Sequence, residues 1–338
     1  MMGKSCVLKK RGVNDSFRAM RLLVLGGRGF IGKKLVDALA EKSYQIDVLT
    51  RSQTESFRTN NLNPKLIKCN LLDSEFCFDD LVGQYDVIFN CAGELHDESL
   101  MHPLHVEATR KLVDAYKRVA QKQNRTIHWV QLSSVGAYGP NHPKANAERM
   151  VKEETIPAPI GEYEVTKTLA DEIIEKAADE FFSYSILRPS NVYGAEMSNN
   201  SIRQLAAMIK KGLFFYIGKS DAVSNYVHVD DVVDALILCG FDSRAKGQIF
   251  NLSNDCDQTI VINALAESLG VPVPRLRFNE SFVRFIAFIF SWLPTFPLKK
   301  SRIDALVGRT HYDTSKIESL LQFKPSRDVE KTIIDVIK

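Results

Sequence analysis

The chain has 338 residues, 45% hydrophobic and 25% charged, a composition typical of a globular protein with room for one large domain or two smaller ones. Its net charge of +3 is small and dispersed, which argues against a nucleic-acid-binding protein. Six scattered cysteines without a Cys-x-x-Cys pair predict reduced thiols in a cytoplasmic protein and give no support for a metal site.

Residues 1–19 precede the first predicted element. They are basic, with Lys9, Lys10 and Arg11 among them, but they lack the apolar stretch of a secretory signal. We expect a disordered extension here, with a transit peptide as the alternative. Met20 is a candidate start.

The first predicted strand, residues 21–25, runs into a glycine-rich turn and then a helical pattern. Gly26, Gly29 and Gly32 allow a tight turn and a close approach to a pyrophosphate. The helix N-terminus adds free N–H groups and a positive dipole end. The spacing predicts a dinucleotide site, with a purely structural turn as the alternative.

Five further strand-like runs alternate with helical patterns. They cover residues 45–50, 65–69, 86–91, 127–132 and 184–188. Nearly continuous apolar strands separated by helices predict an α/β fold with a doubly wound parallel sheet covered on both faces. A ligand is then expected beyond the carboxyl ends of the strands.

The regular alternation weakens after residue 194. The later predicted elements are a helix at 201–212, a strand at 225–229 and a helix at 230–240. We therefore predict a Rossmann domain over 20–194, to which 225–253 returns. Residues 195–224 and 254–338 are predicted to form a smaller substrate-binding part.

Residues 282–298 form an unusually apolar segment. Basic residues flank it at Arg275, Arg277, Lys299, Lys300 and Arg302. The segment is shorter than the about 20 apolar residues that a spanning helix needs. We expect a helix packed over the substrate cleft, and the alternative is peripheral contact with a membrane.

Tyr163 and Lys167 stand four residues apart, and so on one face of a predicted helix. A nearby ammonium favours the phenolate, so we expect Lys167 to lower the pKa of Tyr163 toward that of a useful general acid/base. Upstream, a predicted strand delivers the hydroxyls of Ser133 and Ser134 at its carboxyl end, where one could bind a substrate oxygen. The alternative for these serines is turn formation.

In this order the motifs resemble the extended short-chain dehydrogenase/reductase family, which includes nucleotide-sugar epimerases and reductases and the 3β-hydroxysteroid dehydrogenase branch. The resemblance extends from Met20 to the end of the chain. The motifs are Gly26 to Gly32, Ser133-Ser134 before Tyr138-Gly139, Tyr163 with Lys167, and residues 188–194, 226–232 and 312–316.

The resemblance implies roles for individual residues. Tyr163 is implied as the general acid/base, Lys167 as the residue that holds the nicotinamide ribose, and Ser134 as the group that binds the reacting oxygen. Asn191 joins Ser134 as a substrate contact. The implied cofactor-binding residues are Gly26, Arg28, Gly29, Phe30, Ile31, Gly32, Arg51, Asn70, Leu71, Ala92, Gly93, Tyr163, Lys167 and Pro189, with the Arg188-Pro189 turn bordering the nicotinamide.

Departures from the family pattern bear on the cofactor. Many members that prefer NAD end the second strand with an acidic residue, whereas this chain has Thr50 followed by Arg51. Arg28 supplies a second cation nearby, so we favour NADP(H), with NAD(H) as the alternative. His105 stands where the family often has asparagine, which argues against a proton relay through this position.

Other departures bear on the substrate. Val135 and Gly136 replace the acidic pair of 4,6-dehydratases, so dehydration is not expected. Ser224 and Asn225 replace an Arg-Asp pair that helps bind diphosphate in many sugar-nucleotide enzymes. This replacement weakens, without removing, the case for a nucleotide sugar.

We therefore predict hydride transfer between NADP(H) and a secondary alcohol or ketone of a nucleotide-linked sugar, by a 4-keto reductase or an epimerase. One alternative is a hydroxysteroid-like or other lipophilic-alcohol dehydrogenase, in which residues 282–298 would line an apolar pocket. The other is a non-catalytic NADP-binding scaffold or sensor. The resemblance also suggests a homodimer.

Overall fold

The computed structural model describes residues 20–42, 44–51, 64–73, 78–140, 148–292 and 298–337. The predicted extension at 1–19 lies outside the described residues, and so do residues 293–297 of the apolar segment. Within the described ranges, no helix combines the length and the apolar character that crossing a membrane requires.

The strands are β1 (Arg21–Leu25), β2 (Gln45–Thr50), β3 (Lys65–Lys68), β4 (Val87–Asn90), β5 (Ile127–Leu132), β6 (Arg149–Val151), β7 (Phe182–Pro189), β8 (Asn191–Tyr193), β9 (Tyr216–Ile217), β10 (Val223–His228), β11 (Gln248–Leu252), β12 (Asn254–Asp257), β13 (Arg277–Phe278) and β14 (Thr310–Tyr312). The helices are α1 (Phe30–Glu41), α2 (Asp79–Val82), α3 (Glu98–His102), α4 (Ala108–Gln123), α5 (Glu162–Ala177), α6 (Ser201–Lys210), α7 (Val229–Phe241), α8 (Gln258–Ser268), α9 (Glu280–Ile289), α10 (Lys300–Val307), α11 (Ser315–Leu321) and α12 (Val329–Thr332). A π-helical turn, Pro103–Glu107, joins α3 to α4, and 3₁₀ turns cover Val135–Tyr138, Ser243–Ala245 and Ile333–Val336.

Seven strands form one parallel sheet in the order β11-β7-β5-β4-β1-β2-β3. All six predicted strands up to residue 194 belong to it, and their ends agree with the prediction to within two residues. The prediction of a doubly wound α/β fold is therefore confirmed.

Both faces of this sheet are apolar because successive side chains of each strand point to opposite sides. In β1, Leu22 and Val24 pack in a cluster with α1, α7 and α11, whereas Leu23 and Leu25 pack in a second cluster with α2, α4 and α5. All four side chains are fully buried. Helices thus cover the sheet on both sides.

The later part of the chain builds smaller units. β10 forms a three-stranded sheet with β8 and β12, whereas α7 packs on the large sheet and β11 joins its edge beside β7. A separate apolar cluster contains residues of α6, α8 and α12. The division into a Rossmann domain and a substrate-binding part stays a prediction.

The strand order reverses between β1 and β4. Chains leave the carboxyl ends of these two neighbouring strands in opposite directions, which opens a crevice between the connections. The crevice lies at Gly26, which follows β1, and at Cys91 and Ala92, which follow β4. The fold therefore places a ligand site where the glycine turn lies.

Candidate active site

The glycine turn between β1 and α1 brings main chain against main chain. Gly26 has a φ of +68°, and a Cβ built there would lie 2.6 Å from the Ala92 nitrogen. A Cβ at Gly32 would collide with the Gly26 carbonyl oxygen. Gly29 is the N-cap of α1 and makes no side-chain capping hydrogen bond, and the first turn holds no acidic residue. The turn therefore fits a pyrophosphate at the helix N-terminus.

A cavity of about 340 Å³ opens beside this turn. Eight predicted cofactor-binding residues line it: Gly26, Arg28, Gly29, Arg51, Asn70, Leu71, Ala92 and Gly93. The other six, Phe30, Ile31, Gly32, Tyr163, Lys167 and Pro189, are not on this wall. The Phe30 ring instead lies against Gly194, where a built Cβ would be 3.1 Å from Phe30 Cζ. The cavity thus lies at the predicted glycine turn, and the assignment of individual residues to the cofactor stays a prediction.

Lys167 ties three elements together beneath the pocket. Its ammonium donates to the main-chain oxygens of Ala92, at 3.1 Å, and Leu132, at 3.0 Å, and so connects α5 with the ends of β4 and β5. Burial lowers the pKa of Lys167, against the opposing charges of Asp171 and Cys91. Lys167 is therefore a fixed donor next to Ala92 and Gly93.

Tyr163 lies in the first turn of α5 and is partly buried. Burial raises its pKa to about 12, and the carboxylates of Glu164 and Asp171 add to the increase. The expected lowering of this pKa by Lys167 is not found in the protein alone, because burial of the phenol outweighs the effect of a nearby cation. Tyr163 is consequently a protonated phenol at neutral pH.

Ser134 follows β5 and caps the 3₁₀ turn, accepting a hydrogen bond from the Gly136 N–H at 3.0 Å. A Cβ at Gly136 would lie 2.6 Å from Glu164 Cγ and 3.3 Å from Ser134 Oγ, so Ser134 sits beside the first turn of α5. The turn-forming alternative for Ser134 is correct. It leaves the hydroxyl proton available to another acceptor, because the capping bond uses only a lone pair.

A buried polar network that sequence reasoning missed lies behind these residues. Asp171 Oδ2 accepts from Ser133 Oγ at 2.7 Å and from Arg188 Nε and Nη2 at 3.1 and 3.0 Å. Arg188 Nη1 also donates to the Tyr138 hydroxyl at 3.1 Å, which donates to Asn251 Oδ1 at 2.8 Å. The Arg188 side chain is thus bonded into the interior, and the border of the nicotinamide expected at the Arg188-Pro189 turn stays a prediction.

His105 occupies the π-helical turn between α3 and α4. Its Nε2 accepts from the Glu94 N–H at 2.9 Å, so the ring proton is on Nδ1, which donates to Thr166 Oγ1 at 2.8 Å. Burial, with Lys167 nearby, lowers the pKa of His105 to about 3. The neutral ring packs edge-on against Tyr163, with centroids 5.6 Å apart. His105 thus holds both the Glu94 loop and the Tyr163 ring.

Replacement of His105 by alanine is expected to lower the free energy of unfolding by about 2–3 kcal/mol, because it leaves the buried Glu94 N–H without an acceptor and removes the ring. Glutamine, which can still accept from Glu94, should lose less. Urea denaturation measures both effects. His102→Ala, at an exposed position one turn earlier, is the control and should change stability by well under about 1 kcal/mol. Equal effects at His105 and His102 would contradict this role.

A second and larger cavity, of about 1760 Å³, lies between the sheet and the C-terminal elements. Asn191 is on its wall and donates to the Asn225 carbonyl oxygen at 3.0 Å, whereas Ser134 does not line it. Three cations that sequence reasoning did not assign to the cleft also line it: Arg284, Lys299 and Lys300. Of residues 282–292, only Arg284 reaches this wall. The predicted helix thus borders the cleft by its polar side.

The parallel sheet, glycine turn and adjoining cleft define a dinucleotide-dependent oxidoreductase of the Rossmann type. The sequence profile of the NAD dependent epimerase/dehydratase family matches residues 22–253, and the chain belongs to that family. It is therefore an NAD(P)-dependent enzyme of the extended short-chain dehydrogenase/reductase type.

Named relatives span different substrates. The chain is 22% identical to the decarboxylating sterol-4-alpha-carboxylate 3-dehydrogenase of Mus musculus, over 95% of this chain and 92% of that protein. It is 28% identical to dTDP-6-deoxy-L-talose 4-dehydrogenase (NAD(P)(+)) of Kitasatospora kifunensis, over 75% and 80%. The crystal structure of UDP-glucose 4-epimerase from Thermotoga maritima with UDP-glucose has the same fold, with a TM-score of 0.69, 20% identity, and coverage of 94% and 97%.

Proposed function

We propose that this protein uses NADPH to reduce a ketone on a nucleotide-linked sugar to a secondary alcohol, or, starting from NADP⁺, inverts a secondary-alcohol carbon of such a sugar by taking its hydride and returning it to the opposite face of the ketone so formed. This proposal rests mainly on the basic residues Lys299 and Lys300 on the wall of the large cavity, termed the cationic wall. Lys299 and Lys300 are exposed on it at the start of α10, whereas the charge of Arg284 on the same wall is balanced by Glu280 and Asp304, which also line the cavity. Ammonium groups at a helix N-terminus suit a diphosphate.

The position of the aromatic side chains supports the same choice. A lipophilic-alcohol dehydrogenase would use the apolar segment to line its pocket, but Phe282, Phe285 and Phe288 do not line the cavity. Apolar residues such as Val261 and Ile262 on the opposite wall, together with the sterol-directed mouse relative, favour the lipophilic alternative. The cations on the cavity wall favour a charged substrate more strongly than these two observations favour an apolar one, because an apolar substrate would gain nothing from charge.

The catalytic roles are proposed as follows. The nicotinamide supplies or accepts the hydride when bound. Ser134 donates a hydrogen bond to the reacting oxygen, and Tyr163 moves the proton at that oxygen. The Tyr163 hydroxyl is protonated at neutral pH, so it can donate a hydrogen bond to the oxygen of a ketone and pass its proton to that oxygen as negative charge develops there during reduction. Lys167 holds the ribose from below the pocket.

The cationic wall gives the experiment that tests the nucleotide-sugar assignment. Lys299→Gln with Lys300→Gln should raise KM for a nucleotide-linked keto sugar by about ten- to a hundredfold and leave kcat almost unchanged, because the two exposed ammonium groups together are expected to contribute about 1.4–2.8 kcal/mol, of the order of one charged hydrogen bond to phosphate. Steady-state kinetics measure this. Lys176→Gln, on the exposed side of α5, is the matched control. An unchanged KM in the double variant would contradict a diphosphate at this wall.

Cofactor preference is proposed from two arginines. Arg28 and Arg51 both line the smaller cavity, beside Thr50 at the end of β2. In Arg51→Asp, NADPH binding should weaken about tenfold or more while NADH binding changes little, since the lost partner is the 2′-phosphate. Fluorescence titration with each nucleotide measures this, with the exposed Arg110→Asp as the charge-matched control. NADH binding as tightly as NADPH in the unaltered protein would contradict the preference.

A further inference from the structure

The outward side of α9 and the turn after it carries large apolar side chains in contact with solvent. Phe282, Phe285, Phe288, Ile289 and Trp292 have exposed fractions of 56%, 59%, 77%, 43% and 73%. The spacing of Phe282, Phe285 and Ile289 places them on one side of the helix. These five side chains are termed the aromatic face. A contiguous exposed apolar surface of this kind marks a site of interaction.

The opposite side of α9 already has its packing partners. Val283 is buried in a cluster with Ile303 of α10. Arg284 pairs with Glu280 at 2.8 Å and with Asp304 at 2.7 Å. The helix is therefore held on the protein by its inner side, and the fold does not depend on the aromatic face for packing.

A basic surface adjoins the first turn of α9. β13 pairs with β9, and a Cβ built at Gly218, just after β9, would lie 3.6 Å from Glu280 Cβ. Residues 210–219 and 270–279, which contain these strands, include five basic and no acidic side chains. The basic residues are Lys210, Lys211, Lys219, Arg275 and Arg277. Leu276 and Phe278, exposed by 64% and 41%, extend the apolar surface between them.

We infer that this surface docks the protein on an anionic lipid bilayer. The aromatic face enters the interfacial region, and Lys219, Arg275 and Arg277 beside the β9–β13 pair lie at the headgroups. A second copy of the chain fits this surface less well, because a twofold contact would bring two identical basic clusters together. Since Glu280 and Arg284 line the large cavity, docking holds the cleft next to the bilayer.

The chain carries its own reporter for this proposal. It has two tryptophans, Trp129 fully buried and Trp292 in the aromatic face. Mixing the full chain with vesicles of phosphatidylcholine containing phosphatidylglycerol should shift Trp292 emission to shorter wavelength, and brominated acyl chains should quench it. Phosphatidylcholine alone should bind at least tenfold more weakly. Phe282→Ser with Phe285→Ser, and separately Lys219→Glu with Arg275→Glu, should each reduce cosedimentation with anionic vesicles at least tenfold.

The controls keep folding and surface effects apart. Ile156→Ser removes an apolar side chain that is 84% exposed outside this surface, and it should bind vesicles like the unaltered protein. Retained NADPH binding verifies that each variant is folded. No emission shift with anionic vesicles would overturn the proposal. So would a shift without vesicles that grows with protein concentration alongside a dimer mass in sedimentation, because a second copy would then cover the face.

Discussion

Replacing Tyr163 by phenylalanine is expected to reduce kcat for ketone reduction by about 10²- to 10⁴-fold, the usual contribution of a positioned general acid. The hydroxyl is the only group removed, and the ring remains packed edge-on against His105. The affinity for NADPH should therefore persist while turnover collapses. Single-turnover kinetics with NADPH, beside a fluorescence titration of the same variant, separate the two effects.

Tyr44→Phe is the matched control for this loss. Tyr44 lies just before β2, and its ring stacks on Phe241 with centroids 4.8 Å apart. Removal of its hydroxyl should leave turnover unchanged. If Tyr163→Phe retained the turnover of the unaltered enzyme, the proton would have to move through another group and the proposed role of Tyr163 would be wrong. Absence of turnover from both the unaltered protein and the variant would instead favour the non-catalytic scaffold or sensor.

The second large effect is expected from Asp171→Asn, which should cost about 3–5 kcal/mol of unfolding free energy. Asp171 is fully buried, and Arg188 beside it is 3% exposed, so removal of one charge leaves the other without compensation in the interior. The variant also withdraws the charge that raises the pKa of Lys167, against its burial. Chemical denaturation measures the loss.

Two controls give this prediction its specificity. Glu172→Gln changes the next residue of α5, whose carboxylate pairs with Lys176 at the surface, and it should cost under about 0.5 kcal/mol. Asp171→Leu with Arg188→Met removes both buried charges and should recover much of the loss of the single variant. A loss below about 1 kcal/mol in Asp171→Asn would show that the pair does not hold α5 on the sheet.

The large sheet could be predicted from sequence because its strands are buried on both faces. Continuous apolar runs such as Leu22 to Leu25 leave no other environment for those side chains, and the glycine turn after them follows from the need for close backbone approach. Short elements such as β9 and β13 escaped prediction. Two residues carry no periodicity, and their pairing depends on chain that lies about sixty residues away.

Within the candidate site, sequence analysis did not predict the contacts between residues that are far apart in the chain. His105 reaches Glu94 and Thr166 through a π-helical turn that no local pattern indicates. The Arg188-Pro189 turn was expected to border the nicotinamide, but nothing in the sequence indicated that the Arg188 side chain pairs with Asp171 of α5 in the interior. Sequence order locates a residue at a strand end, whereas the direction of its side chain is fixed by the packing around it.

The sequence pattern was also insufficient for the pKa of Tyr163. The spacing to Lys167 correctly puts both residues in α5, but the ammonium bonds to Ala92 and Leu132. Burial then governs the pKa of the phenol and raises it. Tyr163 is therefore a neutral phenol at neutral pH, able to donate a hydrogen bond to a substrate oxygen.

The most direct test of the proposed keto-sugar reduction is hydride transfer from NADPH deuterated at nicotinamide C4. The unaltered enzyme would be mixed with uridine- and thymidine-diphosphate-linked 4-keto-6-deoxyhexoses, and with a sterol ketone for comparison. We expect one deuterium in the sugar product for each NADP⁺ formed, and no turnover of the sterol ketone. Deuterium in the sterol product alone, or net reduction supported by NADH and not by NADPH, would contradict it.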